Sequence, residues 1–82
     1  MEIAKKITFE NNVLLVLDEN GKEALVVPRR MISRICLDED DEIPAMLVEV
    51  NAGRLFKHWF DLDPSILETT KKLLSDLAYI NE

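Results

Sequence analysis

Five consecutive acidic residues follow Leu37, in the run LDEDDE, and they form the densest group of potential metal ligands in the sequence. Carboxylates bind Ca²⁺ tightly when they alternate along a loop that also contains a turn glycine and, further on, a bidentate glutamate. The run at 38–42 has neither the glycine nor the alternation. The pattern therefore favours a solvated loop that keeps neighbouring strands from aggregating, and it predicts no metal or cofactor site.

His58 is the single histidine and Cys36 the single cysteine, so these two residues come closest to a catalytic pair. A reactive thiol needs an activating environment such as a helix start, and a general base needs a partner that orients it and a nucleophile or substrate pocket beside it. Cys36 lies on a different segment from His58 and has no glycine-rich turn or helix start beside it, so the sequence predicts a non-enzymatic chain. The alternative is a small enzyme or metal-binding protein that uses His58, Cys36 and the acidic loop.

Arg29, Arg30 and Arg34 form the one basic concentration of the chain. No aromatic residues interleave with them, so the pattern of a nucleic-acid surface is weak. We expect these arginines to pair with the acidic loop, within one chain or across two. Surface pairs of this kind contribute only about 0 to 1 kcal/mol each, so they would orient an assembly rather than hold it together.

The chain has a formal net charge of −6, and its field therefore repels phosphate groups. Direct binding to nucleic acid or to an anionic membrane is disfavoured, whereas cationic protein surfaces are favoured. The first ten residues contain no apolar run long enough for a signal peptide or a membrane span. Together with the unpaired cysteine, this predicts a reduced, cytoplasmic setting.

With 82 residues, of which 48% are apolar, the sequence predicts a single domain over 1–82. Its first clear hairpin joins 13–17 to 23–27, with Asn20 and Gly21 as a two-residue turn. In that register Leu15 faces Val26 and Leu17 faces Ala24. The preceding segment, 2–10, is expected to be a further strand with Ile3, Lys5, Ile7 and Phe9 on one face.

A second hairpin is predicted to join 45–50 to 54–62 through a three-residue loop at 51–53. In this register Val48 faces Phe56 and Met46 faces His58, which gives the hairpin an apolar core face. Between the two hairpins, the segment 28–37 fits either a short helix or a strand. We predict a turn at 28–31 followed by a strand at 32–37.

The last segment predicts a helix that begins after Asp63, which is a good N-cap, with Pro64 in the first position. Its apolar stripe has helical spacing and consists of Ile66, Leu67, Thr70, Leu73, Leu74 and Leu77. The predicted fold class is α+β: a mainly antiparallel sheet of four to five strands, built from hairpins, with one C-terminal helix packed on it.

Both faces of the predicted hairpins are apolar, and one helix can cover only one of them. The remaining surface needs a curled sheet, the N-terminal segment or another protein as its cover. Trp59 with its leucine neighbours fits either plain core or the centre of an interface. The residues predicted for an interface are Leu47, Leu55, Trp59, Arg29, Arg30, Arg34, Asp38, Asp40 and Asp41.

These patterns predict a non-catalytic protein-interaction module that presents a sheet face or edge and an acidic loop. Its expected partner is a second copy, in a homodimer, or another protein of which it is a small subunit. The alternative is a small acidic inhibitor that occupies a basic groove of a larger protein and mimics nucleic acid.

Overall fold

The computed structural model describes residues 2–40 and 42–79, and the elements below are those of the described residues. The strands are β1 (Glu2–Glu10), β2 (Val13–Asp18), β3 (Glu23–Pro28), β4 (Ile32–Asp38), β5 (Ala45–Asn51) and β6 (Leu55–Leu62). Short 3-10 turns cover Arg29–Met31 and Pro64–Ile66, and the helix α1 covers Leu67–Asp76. The α+β class and the turn followed by a strand in 28–37 are confirmed.

The strand count and the pairing differ from the prediction. In the described part of the chain the sheet has six strands in the order β3-β2-β1-β6-β5-β4. Every neighbouring pair is antiparallel except β1 and β6, which run parallel where Glu2, Ile3 and Ala4 face Phe60, Asp61 and Leu62. This ladder joins residues from opposite ends of the chain, so no local pattern reveals it. The sheet is therefore mixed, and the expected four to five strands are too few.

The sheet is curled, as its chain connections require. β3 and β4 are its two edge strands, yet only Arg29–Met31 separate them along the chain. The four Cα steps from Pro28 to Ile32 span at most about 15 Å. In a flat sheet, the five spacings between these edges would add up to about 24 Å. The sheet therefore bends into an open barrel whose seam lies between β3 and β4.

Curling gives the inner face of both hairpins a common core. Leu14 and Val16 of β2 belong to the same buried cluster as Ile35 of β4 and Met46 of β5. Leu74 of α1, which is 2% exposed, also belongs to this cluster. Part of the apolar surplus is therefore covered by the curled sheet itself, together with the helix.

The first hairpin has a three-residue loop rather than the expected two-residue turn. Asp18 N donates to Lys22 O, and Gly21 has a φ of +78°, whereas Asn20 does not have a positive φ. The Asp18 side chain also accepts hydrogen bonds from the backbone N–H groups of Asn20 and Lys22. Asp18 thus organises the loop, and a bulge places Leu17 opposite Glu23 rather than Ala24. The predicted pair of Leu15 with Val26 is confirmed.

The second hairpin keeps its predicted core face but shifts its register by two residues. His58 lies opposite Val48 and Phe60 lies opposite Met46, because the loop occupies 52–54 rather than 51–53. Gly53 takes the positive φ of +84° in this loop. A shift of two residues preserves the face to which each side chain points, so the predicted face survives the wrong register.

A bulge in β1 changes the predicted face of that strand. The register shifts between Ala4 and Lys6, and one extra residue turns the following side chains to the other face. Ala4 is therefore buried, Ile7 and Phe9 pack against the same core, and Ile3 is exposed. The expected alternation of Ile3 and Lys5 with Ile7 and Phe9 on one face is wrong at its N-terminal end.

Asp63 begins the C-terminal helical segment, as predicted. Its Oδ1 accepts hydrogen bonds from Ser65 N at 2.9 Å and from Ser65 Oγ at 2.7 Å. Its Oδ2 accepts one from Lys5 Nζ at 2.6 Å, which ties β1 to the start of the helical segment. The hydrogen bond from Lys5, followed by those from Ser65, holds the pKa of Asp63 well below its ordinary value.

This lowered pKa predicts a dependence of stability on pH. An ionised Asp63 stabilises the fold above its unfolded pKa of about 3.9, and this contribution is lost as the pH falls toward the lower folded pKa. Asp63→Asn keeps an N-cap oxygen but removes the charge. We expect its unfolding midpoint in urea to lie below that of the wild type by the same amount at pH 7 and pH 5. At pH 3 the difference between the two midpoints should become smaller. A difference between the midpoints that does not depend on pH would contradict a stabilising role for the charge of Asp63.

Candidate functional site

The outward side of β4, β5 and β6 carries three cross-strand rows of side chains. Directly paired residues of neighbouring strands share a face, and the inward ones here are those of the core, such as Ile35, Val48 and Phe60. We call the three outward rows together the outer face. They are the basic row Arg34–Glu49–Lys57, the apolar row Cys36–Leu47–Trp59 and the acidic row Asp38–Ala45–Asp61.

The apolar row is the centre of this face. Trp59 is 45% exposed although it lies in the middle of a strand. Leu55, two residues before Lys57 on the same side of β6, is 52% exposed. Leu47, which pairs with Trp59, is buried. An open groove of about 460 Å³ crosses this row, and Cys36, Leu47 and Trp59 contribute to its lining. A groove of this size can hold several side chains of a bound molecule.

The basic row is organised by Glu49, a nearly buried carboxylate. Arg34 Nε donates to Glu49 Oε2 at 2.8 Å, and Lys57 Nζ lies 3.8 Å from Glu49 Oε1. The Glu49 side chain is only 9% exposed, whereas those of Arg34 and Lys57 are 50% and 57% exposed. The two cations therefore face solvent above a carboxylate that lies beneath them, and the row presents positive charge.

The acidic loop lies at the opposite end of the groove. Asp38, Glu39 and Asp40 line it, and the Asp38 carboxylate accepts a hydrogen bond from Asp40 N. Glu39 Oε1 lies 3.2 Å from Lys71 Nζ, so the loop is attached to α1. This hydrogen bond raises the pKa of Lys71. Asp41, which the sequence also predicts for an interface, lies outside the described residues.

Arg29 and Arg30 are placed away from this face, beside a second open groove that Tyr79 also lines. Arg29 Nη2 donates to Leu77 O at 3.0 Å, at the end of α1. Its guanidinium carbon lies 5.9 Å from the ring centre of Phe9 and 5.8 Å from that of Tyr79. Arg29 thus joins the β3–β4 connection to the helix, while Arg34 is the arginine of the predicted set that lies on the outer face.

Cys36 and His58 lie on opposite faces of the sheet. Cys36 belongs to the outward apolar row, whereas His58 pairs with the inward-facing Val48. They cannot form a dyad without breaking the β5–β6 ladder that fixes these directions. Within residues 2–40 and 42–79, no three histidine, cysteine, aspartate or glutamate side chains converge as a metal site would require.

Sequence reasoning missed two features of this face, namely the position of Glu49 at the centre of the basic row and the position of Asp61 in the acidic row. In the expected register Glu49 would face Leu55, whereas the true register pairs it with Lys57. The pairing of Arg34 with Glu49 depends on the β4–β5 ladder. No hairpin motif in the sequence predicts this ladder. The sequence signal for these pairs was charge alone, because Glu49 can pair with an oppositely charged residue in each of the two neighbouring strands.

No helix in the described part of the chain has the length and apolar character needed to cross a membrane. Comparisons with protein-family models, with curated protein sequences and with solved structures gave no match.

Proposed function

We propose that this chain is a non-catalytic protein-interaction module that binds a partner protein through the outer face in a reducing, cytoplasmic setting. The observation that carries the proposal is Trp59, which is 45% exposed in the middle of a sheet strand. Its cross-strand partner Leu47 is also apolar, and Leu55 lies further along the same side of the strand, beyond Lys57. Tryptophan is one of the side chains enriched at the energetic centres of protein interfaces, with tyrosine and arginine.

The surroundings of Trp59 support a protein partner rather than a small reactive substrate. An interface centre typically combines an apolar anchor with a polar rim that excludes water. Here the basic row borders the apolar row on one side, and the acidic row and loop border it on the other. Cys36 and His58, the residue pair considered for catalysis, lie on opposite faces of the sheet.

Photo-crosslinking tests this proposal at two matched positions. Leu55 points outward at the margin of the outer face, beside Lys57 of the basic row, and Val26 lies on the outside of the other half of the barrel. Both are 52% exposed aliphatic residues. A diazirine-bearing amino acid is introduced at either position, and the chain is irradiated in its native cells. We expect abundant protein adducts from position 55 and few from position 26, because only the outer face is an interface.

Equal yields at the two positions, or no adduct from position 55, would overturn the proposal. The mass of the adduct also identifies the kind of partner. A basic protein would favour the role of an acidic inhibitor, whereas a product near twice the 9.4 kDa of one chain would indicate self-association.

A further inference from the structure

We infer that the partner of the outer face is a second copy of this chain, packed face to face with its strands antiparallel to those of the first. This inference rests on the proposed function, since it uses the same face, and it goes further by naming the occupant and its orientation. It is carried by the order of charges along the strands rather than by the apolar row alone.

Charge changes sign along the strand direction of the outer face. The basic row lies on one side of the apolar row and the acidic row on the other. Successive rows on one face are two residues apart, so the basic and acidic rows are separated by about 13 Å along the strands. Asp40, which lines the same groove as Asp38, adds to the acidic end. The face is thus positive at one end, apolar in the middle and negative at the other end.

Such a face complements itself in one orientation. A two-fold axis in the contact plane, perpendicular to the strands, reverses the strand direction in the second copy. The apolar row then stacks on its own counterpart, and Arg34 and Lys57 of each copy face the acidic end of the other. A two-fold axis parallel to the strands would instead bring like charges together, which costs free energy.

The same order of charges disfavours a uniformly basic partner. The groove of a nucleic-acid-binding protein would attract Asp38 and Asp40, but it would also bring cations against Arg34 and Lys57. Those two side chains are at least half exposed. A second copy places opposite charges against both ends at once and buries Trp59 against its counterpart.

The dimensions of the face predict a weak dimer. Three strands about 4.8 Å apart, with seven residues at about 3.3 Å each, give a contact of roughly 14 by 23 Å. Standard interfaces bury about 800 Å² on each partner. We therefore expect a dissociation constant in the micromolar range, with association that weakens at high salt because the charged ends are screened.

Charge exchange provides the test. In a first variant the basic row is inverted by Arg34→Glu, Glu49→Lys and Lys57→Glu together, which preserves an opposite charge at the centre of the row. In a second variant the acidic end is inverted by Asp38→Lys and Asp40→Lys. Each variant alone should associate about tenfold more weakly than the wild type in sedimentation experiments. An equimolar mixture should form heterodimers, because opposite charges then meet at both ends.

A second measurement needs no charge variant and remains decisive if the inverted row does not fold. Antiparallel stacking of the apolar row places Cys36 opposite its counterpart, and packed sheets are about 10 Å apart. A bismaleimide with an arm of about that length should therefore join two wild-type chains at micromolar concentration. A control chain with Cys36→Ser and Val26→Cys, whose thiol lies on the other half of the barrel, should give little product.

Failure of this inference can be distinguished from failure of the proposed function. Variants that associate as the wild type does, a mixture without heterodimers, or equal thiol crosslinking in the control would each overturn the antiparallel dimer. If position 55 nevertheless crosslinks to a different protein, the interaction module stands and only its occupant is wrong. If position 55 crosslinks to nothing, both are wrong.

Discussion

Phe60→Ala should lower the free energy of unfolding by about 3 to 5 kcal/mol, the range measured when buried aromatic residues are truncated. Phe60 is 2% exposed, and it lies at the junction of the two halves, opposite Met46 of β5 and Glu2 of β1. Domains of this length are stable by roughly 4 to 12 kcal/mol in total. The variant should therefore lose a large share of its stability, as measured by urea unfolding followed by circular dichroism.

Phe56→Ala is the matched control, because it makes the same truncation in the same strand and toward the same face. Phe56 lies nearer the hairpin loop and is 36% exposed. We expect a distinctly smaller loss than for Phe60→Ala, since less apolar surface leaves the core. Equal losses at the two positions would mean that Phe60 does not fill the junction of β1, β5 and β6.

Leu74→Ala should lower the free energy of unfolding by about 2 to 5 kcal/mol, because it opens a cavity between α1 and the inner face of the sheet. Leu74 is 2% exposed and belongs to the buried cluster that includes Ile35 and Met46. The measurement is again the midpoint and slope of urea unfolding, which together give the free energy in water.

Leu73→Ala provides the comparison on the same helix, since Leu73 is only half-buried. We expect its effect to be smaller than that of Leu74→Ala. If the two variants lose equal stability, or if Leu74→Ala unfolds at the wild-type midpoint, then α1 does not close the core through Leu74. Either result would also mean that α1 does not cover the inner face of the sheet.

The elements of this fold are largely predictable because they depend on local patterns. Alternating apolar residues mark the strands, and Asp63 with Pro64 marks the start of the helical segment. The inner face of the second hairpin is also predictable although its register is not, because a two-residue shift leaves every side chain on the same side. In β1, by contrast, the bulge next to Ala4 turns the strand, and no pattern in the sequence indicates it.

The closure of the sheet depends on contacts that are distant in sequence, and these are not predictable from local patterns. The parallel ladder of β1 with β6 and the seam between β3 and β4 follow from packing the two hairpins around one core. For the same reason, only part of the candidate interface could be predicted from the sequence. Alternation alone indicates that Leu47, Leu55 and Trp59 share a face, but the charged rows on either side of them require the registers of β4, β5 and β6.

The fluorescence of Trp59 tests most directly whether the outer face is an interface, since Trp59 is the single tryptophan of the chain. At low concentration we expect the red-shifted emission of an indole that is partly exposed to water. As the concentration rises from micromolar to millimolar, the emission should shift to the blue, and Trp59→Glu should abolish self-association while leaving the far-ultraviolet circular dichroism unchanged. A blue emission independent of concentration would mean that Trp59 is covered by its own chain and that the outer face is core rather than interface.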